Sequence, residues 1–195
     1  MRGAILFGGA GGVLEIRAAS NGAARIAGRF PYGVRAVLSD GAGRGRRREE
    51  RFVPRAFERR ILDPQADIYL LAGHAFDRPL ASRAAGSLVV VDNDDALTFE
   101  AELAREVVET THGRDALGLL RAGLASGLSP GFVVPPDGER VTDEGEAILR
   151  TINRADLFEI SIVTVPAYAT AQAETRNWTP DATRAGIDPR FRWRA

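Results

Sequence analysis

Three polar side chains lie on or beside apolar segments, and their types are those needed for acyl transfer. Ser129 stands between two glycines in Gly-Leu-Ser-Pro-Gly, His74 follows the apolar segment 68–72, and Glu159 lies within the apolar segment 157–163. Nucleophilic acyl transfer needs a hydroxyl, a base that can take its proton near neutral pH, and a group that orients the base. The sequence therefore contains a candidate nucleophile, base and orienting acid.

Other residues compete for two of these roles. The chain has two histidines, and the second, His112, lies in a polar segment before a helix, which is typical of a surface or capping residue. Ser126 and Ser161 are further candidate hydroxyls. Ser129 is favoured because it is expected to be the best exposed of the three, between glycines, although a serine in such a stretch is more often simply part of a turn.

The carboxylate of Glu159 needs a partner if it stays charged in an apolar strand. A histidine imidazole that Glu159 orients would be such a partner. Ser161 lies two residues along the same predicted strand, hence on the same face, and we expect it to support the carboxylate.

Pro130 directly follows Ser129, and it has two consequences. It biases Ser129 towards extended backbone, so Ser129 is predicted to lie on a strand. It also excludes a nucleophile elbow, in which the N–H of the next residue holds the oxyanion, because proline has no N–H. The oxyanion donors must come from another part of the chain.

Composition excludes several classes of protein. The 195 residues, 45% of them hydrophobic, suit one soluble domain, predicted over 1–175, with a flexible tail over 176–195. The absence of cysteine and lysine excludes disulfides, thiolate zinc sites, Schiff bases and Ser-Lys dyads. A formal net charge of zero makes nucleic acid an unlikely partner, and no apolar run approaches the roughly 18 residues of a membrane span. We expect a cytoplasmic protein without a cofactor.

Short alternating or apolar segments predict a β-rich chain. The predicted strands are 23–30, 34–38, 68–72, 87–91, 97–103, 129–134, 147–152 and 158–165. Short helices are expected over 54–62 and over 116–126, the second closed by Gly127. The arginine-rich stretch 40–48 and the polar stretch 135–145 are predicted to be solvated loops. Because crossover helices do not separate the strands, the fold is predicted to be α+β, with an antiparallel sheet or barrel core and surrounding helices.

Four segments in a fixed order resemble a known family. They are Glu-Arg-Phe-Val-Pro-Arg-Ala-Phe at 50–57, Leu-Leu-Ala-Gly-His at 70–74, the stretch 123–132 with Leu-Ser-Pro-Gly-Phe, and Phe-Glu-Ile-Ser-Ile-Val-Thr-Val-Pro-Ala at 158–167. The sequence resembles the prohead (capsid maturation) proteases of tailed phages, relatives of the herpesvirus assemblin-type serine proteases. The resemblance covers roughly residues 24–175 and implies an assemblin-like fold.

The resemblance implies His74 as general base, Ser129 as nucleophile and Glu159 as third member of the site. Two positions depart from the family pattern. Ala75 stands where the family often has an acidic residue, and Pro130 replaces a branched apolar residue. The third member varies among such proteases, so Asp77 and Asp156 are alternatives to Glu159.

By the same resemblance, the protein is expected to act inside a procapsid. Its substrates would be scaffold, or the scaffolding segment of the major capsid protein, and the protease itself, and it would act as a homodimer. Two other classes remain open. One is a catalytically inactive assembly factor of the same fold, and the other is a metal hydrolase using His74, His112 and carboxylates, which lacks paired-histidine spacing.

Overall fold

The computed structural model describes residues 5–9, 12–18, 22–41 and 45–164, and for the first two of these ranges the backbone alone. These residues form thirteen strands and three short helices. The β-rich character predicted from the sequence is confirmed. The predicted domain boundary at residue 175 and the tail 176–195 lie outside the described residues.

The strands form three sheets. The first has the order β1 (Ile5–Gly9), β2 (Gly12–Ala18), β3 (Ala24–Pro31), β9 (Ala96–Leu103) and β8 (Leu88–Asp92). The second, here called the site sheet, has the order β10 (Gly127–Val133), β13 (Asp156–Val163), β6 (Tyr69–Ala72) and β7 (Pro79–Ser82). The third has the order β11 (Glu139–Asp143), β12 (Ala147–Ile152), β5 (Arg47–Phe52) and β4 (Ala36–Ser39). The helices are α1 (Glu58–Leu62), α2 (Arg105–Val108) and α3 (Thr111–Arg121).

The expectation of an antiparallel sheet or barrel is wrong in part. The site sheet and the third sheet each contain a parallel pair, β13 with β6 and β12 with β5, and the described residues form no closed barrel. Parallel neighbours need a long connection, and here Tyr69 lies beside Glu159, far along the chain. Local strand spacing carries no signal for such a pairing. The assemblin-like architecture stays a prediction.

Three aromatic rings join the three sheets at the core. Phe52 of the third sheet packs edge-to-face on Phe30 of the first sheet, with ring centroids 5.5 Å apart, and on Phe132 of the site sheet at 5.1 Å. Edge-to-face pairs are a favoured aromatic geometry and add to the stability gained by burial. Because Phe132 lies on β10, this cluster also holds the strand that carries Ser129.

Ser129 lies on a strand, β10, as its proline neighbour predicts. The helix before it differs from the prediction, because α3 begins at Thr111 and ends at Arg121. The Thr110 side chain accepts a hydrogen bond from the N–H of Gly113 and caps the helix N-terminus early. Gly123, with φ of 70°, provides the left-handed residue after the helix. Gly127 instead begins β10.

The prediction that the stretches 40–48 and 135–145 are solvated loops is wrong in part, because both contribute residues to strands. Arg47 and Arg48 begin β5, and part of the polar stretch 135–145 forms β11; residues 42–44 lie outside the described residues. Both acidic residues of β5 are buried and paired: Arg150 of β12 donates to Glu50 with an Nη1–Oε2 distance of 2.5 Å, and Arg35 and Arg47 donate to Glu49. Ion pairing with an arginine from a distant segment thus allows the acidic side chains of a charged strand to be buried.

Two glycines of α3, the helix that precedes β10, provide a matched test of how closely α3 packs against α2. A Cβ at Gly113 would lie 2.0 Å from the carbonyl oxygen of Val107, whereas a Cβ at Gly118 would meet nothing within 4 Å. Gly113→Ala should therefore lower the free energy of unfolding by about 2 kcal/mol, because α2 must shift. Gly118→Ala should raise it by about 0.5–1 kcal/mol through helix propensity.

Urea denaturation followed by circular dichroism measures both changes. A Gly113→Ala variant as stable as the wild type would contradict the close packing of α3 against α2.

Candidate active site

His74 lies immediately after β6, where the chain turns out of the site sheet. Gly73 and His74 both have left-handed backbones, with φ of 66° and 60°. Glycine adopts this conformation freely, but for histidine it costs on the order of 1 kcal/mol. The Gly73 N–H donates to the carbonyl of Ile162, 3.0 Å away, and the His74 N–H donates to Oγ of Ser161 at 2.9 Å. Strand β13 therefore holds this turn through two successive hydrogen bonds.

Glu159 is fully buried on β13 and reaches the imidazole of His74. Its Oε1 lies 2.8 Å from Nδ1 of His74, and its Oε2 accepts a hydrogen bond from Oγ of Ser161 at 2.5 Å. An ionised carboxylate only accepts hydrogen bonds, so opposite it Nδ1 carries the proton. Nε2 of the neutral ring is then left with a lone pair that can accept a proton.

Ser129 lies on the same face of the site sheet as this pair. It is the direct cross-strand neighbour of Ser161, and Gly131 is the neighbour of Glu159. Directly opposite residues have Cβ atoms roughly 4.5–5.5 Å apart. Ser129 thus lies beside the residue that bonds both His74 and Glu159.

The hydroxyl of Ser129 and the imidazole of His74 are not hydrogen-bonded to each other in the described part of the chain. Ser129 is 3% exposed, whereas the His74 side chain is 39% exposed. Catalytic hydrogen bonds are often long or absent before a substrate binds. The imidazole of His74 is thus partly open to solvent, whereas Ser129 is buried.

Pro130 is accommodated because β10 is at the edge of the site sheet. A proline cannot donate to a neighbouring strand, and in sheets it is found on edge strands. The edge position thus allows Ser129 to lie on a strand although its next residue has no N–H.

The competing residues lie elsewhere. His112 is on α3, where its Nε2 is 3.1 Å from the carbonyl oxygen of Pro79. Asp77 is exposed in the turn before β7, and Asp156 is paired with Arg59. Ser126 precedes β10. Of the three candidate acids, Glu159 is the one that contacts the imidazole of His74.

Two features of the site were not predicted from the sequence. The left-handed backbone of His74 and the hydrogen bond from its N–H to Ser161 both depend on β6 lying beside β13. The Gly-His pair after an apolar strand is a local sign of a turn, but it does not indicate the partner. The support of Glu159 by Ser161, expected from their two-residue spacing, is observed.

The described residues contain no group of three histidine, aspartate or glutamate side chains arranged to hold a metal ion. Within the same ranges, no helix is long and apolar enough to cross a membrane.

A hydroxyl, an imidazole and a buried carboxylate thus lie on one face of the site sheet. This combination is typical of one class of enzyme, the serine hydrolases. The family model of the caudovirus prohead serine proteases matches residues 38–184, about three quarters of the chain. The chain belongs to this family. Membership assigns the protein to the serine proteases of phage capsid maturation. No curated protein and no solved structure matches the chain.

Proposed function

We propose that the protein is a serine endopeptidase in which Ser129 is the nucleophile, His74 the general base and Glu159 the orienting acid. The observation that carries the proposal is the 2.8 Å contact between Nδ1 of His74 and Oε1 of Glu159, on the sheet face that also carries Ser129. All three residues lie within the range that the family model matches.

The geometry supports a two-step mechanism of acyl transfer. When a peptide carbonyl approaches, Ser129 Oγ attacks its carbon and the hydroxyl proton passes to Nε2 of His74. Glu159 stabilises the imidazolium that forms, and the imidazolium then protonates the leaving amine. Water, deprotonated by the same nitrogen, hydrolyses the acyl-enzyme and releases Ser129. Pro130 supplies no oxyanion donor, so other N–H groups must do so.

The substrates proposed are capsid-assembly proteins: scaffold, or the scaffolding segment of the major capsid protein, and the protease itself. Family membership supports this class of substrate. The protein would act inside the procapsid, as a homodimer, before DNA enters. An enzyme enclosed with its substrates meets them at high local concentration, which favours cleavage by a site with modest affinity.

A catalytically inactive assembly factor of the same family is the alternative. The low exposure of Ser129 is the observation that favours it. An assay for cleavage of the capsid and scaffold proteins separates the two, since an assembly factor leaves both intact.

Ser129→Ala and His74→Ala should each fold normally and lose cleavage by on the order of 10³-fold or more. The double variant should be no worse than either single variant, because members of one catalytic unit are not additive. Gel electrophoresis and mass spectrometry of the capsid protein incubated with each variant measure the loss. Ser126→Ala and His112→Ala are the matched controls and should cleave at the wild-type rate. An inactive His112→Ala beside an active His74→Ala would show that the base is assigned wrongly.

Glu159→Gln should reduce the rate by roughly 10²-fold, less than loss of Ser129 or His74, because the acid orients the imidazole and does not react. The substitution keeps the size of the side chain and removes its charge. Asp77→Asn is the control and should be active. Wild-type activity of Glu159→Gln at neutral pH would transfer the third role to Asp77, Asp156 or water.

A further inference from the structure

Ser161 uses both hydrogen-bonding capacities of its hydroxyl within the site. It is fully buried, it accepts from the backbone N–H of His74 at 2.9 Å, and it donates to Oε2 of Glu159 at 2.5 Å. A hydroxyl in such a place costs free energy unless its partners compensate. Its two partners are the proposed base and the proposed acid.

These contacts close a ring of hydrogen bonds. The ring runs from the His74 N–H to Ser161, from Ser161 to one carboxylate oxygen of Glu159, and from the other oxygen to Nδ1 of His74. His74 is thus held at two points, its backbone by Ser161 and its imidazole by Glu159. Since Ser161 also holds Glu159, both points depend on the same hydroxyl.

The ring lies where β6 leaves the site sheet. The parallel pairing of β6 with β13 continues through the N–H of Gly73, which donates to a backbone carbonyl of β13. The next N–H, that of His74, instead bonds the Ser161 side chain. The Ser161 hydroxyl is therefore the acceptor that holds the backbone of His74 at the turn, at a residue whose φ of 60° needs support from its surroundings.

We propose that Ser161 is a positioning residue that sets the imidazole of His74 in place by fixing its left-handed backbone and the carboxylate of Glu159 together. This inference rests on the proposed function. Ser161 does not act as a nucleophile, because its proton is committed to Glu159 and its side chain is fully buried. Its contribution is to the geometry of the base, where a displacement of about 1 Å can cost on the order of 10²-fold in rate.

Ser161→Ala tests the proposal by kinetics. The value of kcat for cleavage should fall about 10- to 100-fold while KM stays within about twofold, since the hydroxyl touches the base and acid and not the substrate. Ser87→Ala is the matched control, because its hydroxyl also accepts a backbone N–H and donates to a carbonyl, both of Ser82. It should keep the wild-type kcat. A Ser161→Ala variant with kcat within about twofold of wild type would overturn the proposal.

A second readout does not depend on activity. The imidazole N–H proton of His74 should give a downfield NMR signal, assigned by its persistence in His112→Gln, since the chain has two histidines. In Ser161→Ala this signal should shift or be lost by exchange with water, and in Ser87→Ala it should stay. An unchanged signal overturns the proposal. Because the signal belongs to the resting protein, it reports on Ser161 even if Ser129→Ala is active and the proposed function fails.

If Ser161→Ala does not fold, Ser161→Cys replaces it in both measurements. Its thiol has nearly the same shape and is a weaker donor, so the kcat loss and the change in the signal should be smaller and in the same direction. If folded Ser161→Cys has the wild-type kcat or the wild-type His74 signal, the proposal that Ser161 positions the imidazole is overturned.

Discussion

The buried carboxylate of Glu159 is the constraint on which the geometry of the site depends. A charge without water must be paired and hydrogen-bonded, and the partners of Glu159 are Ser161 from its own strand and His74 from the end of the neighbouring strand. The second partner is available because β6 lies beside β13 and the turn after β6, held by Ile162 and Ser161, brings the imidazole of His74 to the carboxylate. Satisfying the charge and orienting the imidazole are therefore the same interaction.

The remaining structure holds the strand of Ser129 against this pair. Strand β10 pairs with β13 so that Ser129 faces Ser161, and the aromatic cluster ties β10 to the other two sheets through Phe132 and Phe52. Close-packed protein interiors permit little independent movement. The hydroxyl and carboxylate come from two strands of one sheet and the imidazole from the turn after a third, which suits a site that requires fixed distances.

The features predicted from the sequence are those encoded locally. Strands β8 and β9 lie where the short segments 87–91 and 97–103 predict strands, and Ser129 is on a strand, as expected for a residue before proline. The features that were missed depend on distant partners. Strand β5 reads as a charged loop until Arg150 is placed beside Glu50, and the parallel pairs join segments far apart in the chain.

The same division applies to the site. Residue types and apolar context were sufficient to propose His74 and Glu159 as a pair, and the structure brings them together. The left-handed turn at His74 could not be predicted, because the acceptor that supports it, Ser161, belongs to another strand.

Covalent labelling with a fluorophosphonate, which reacts with activated serine hydroxyls, tests the central claim most directly. Trypsin would then release a peptide spanning residues 122–140, and fragmentation of this peptide separates Ser126 from Ser129. The account predicts one adduct, on Ser129, that is absent from His74→Ala. An adduct on Ser126 or Ser161, or labelling of Ser129 that is unaffected by loss of His74, would contradict it.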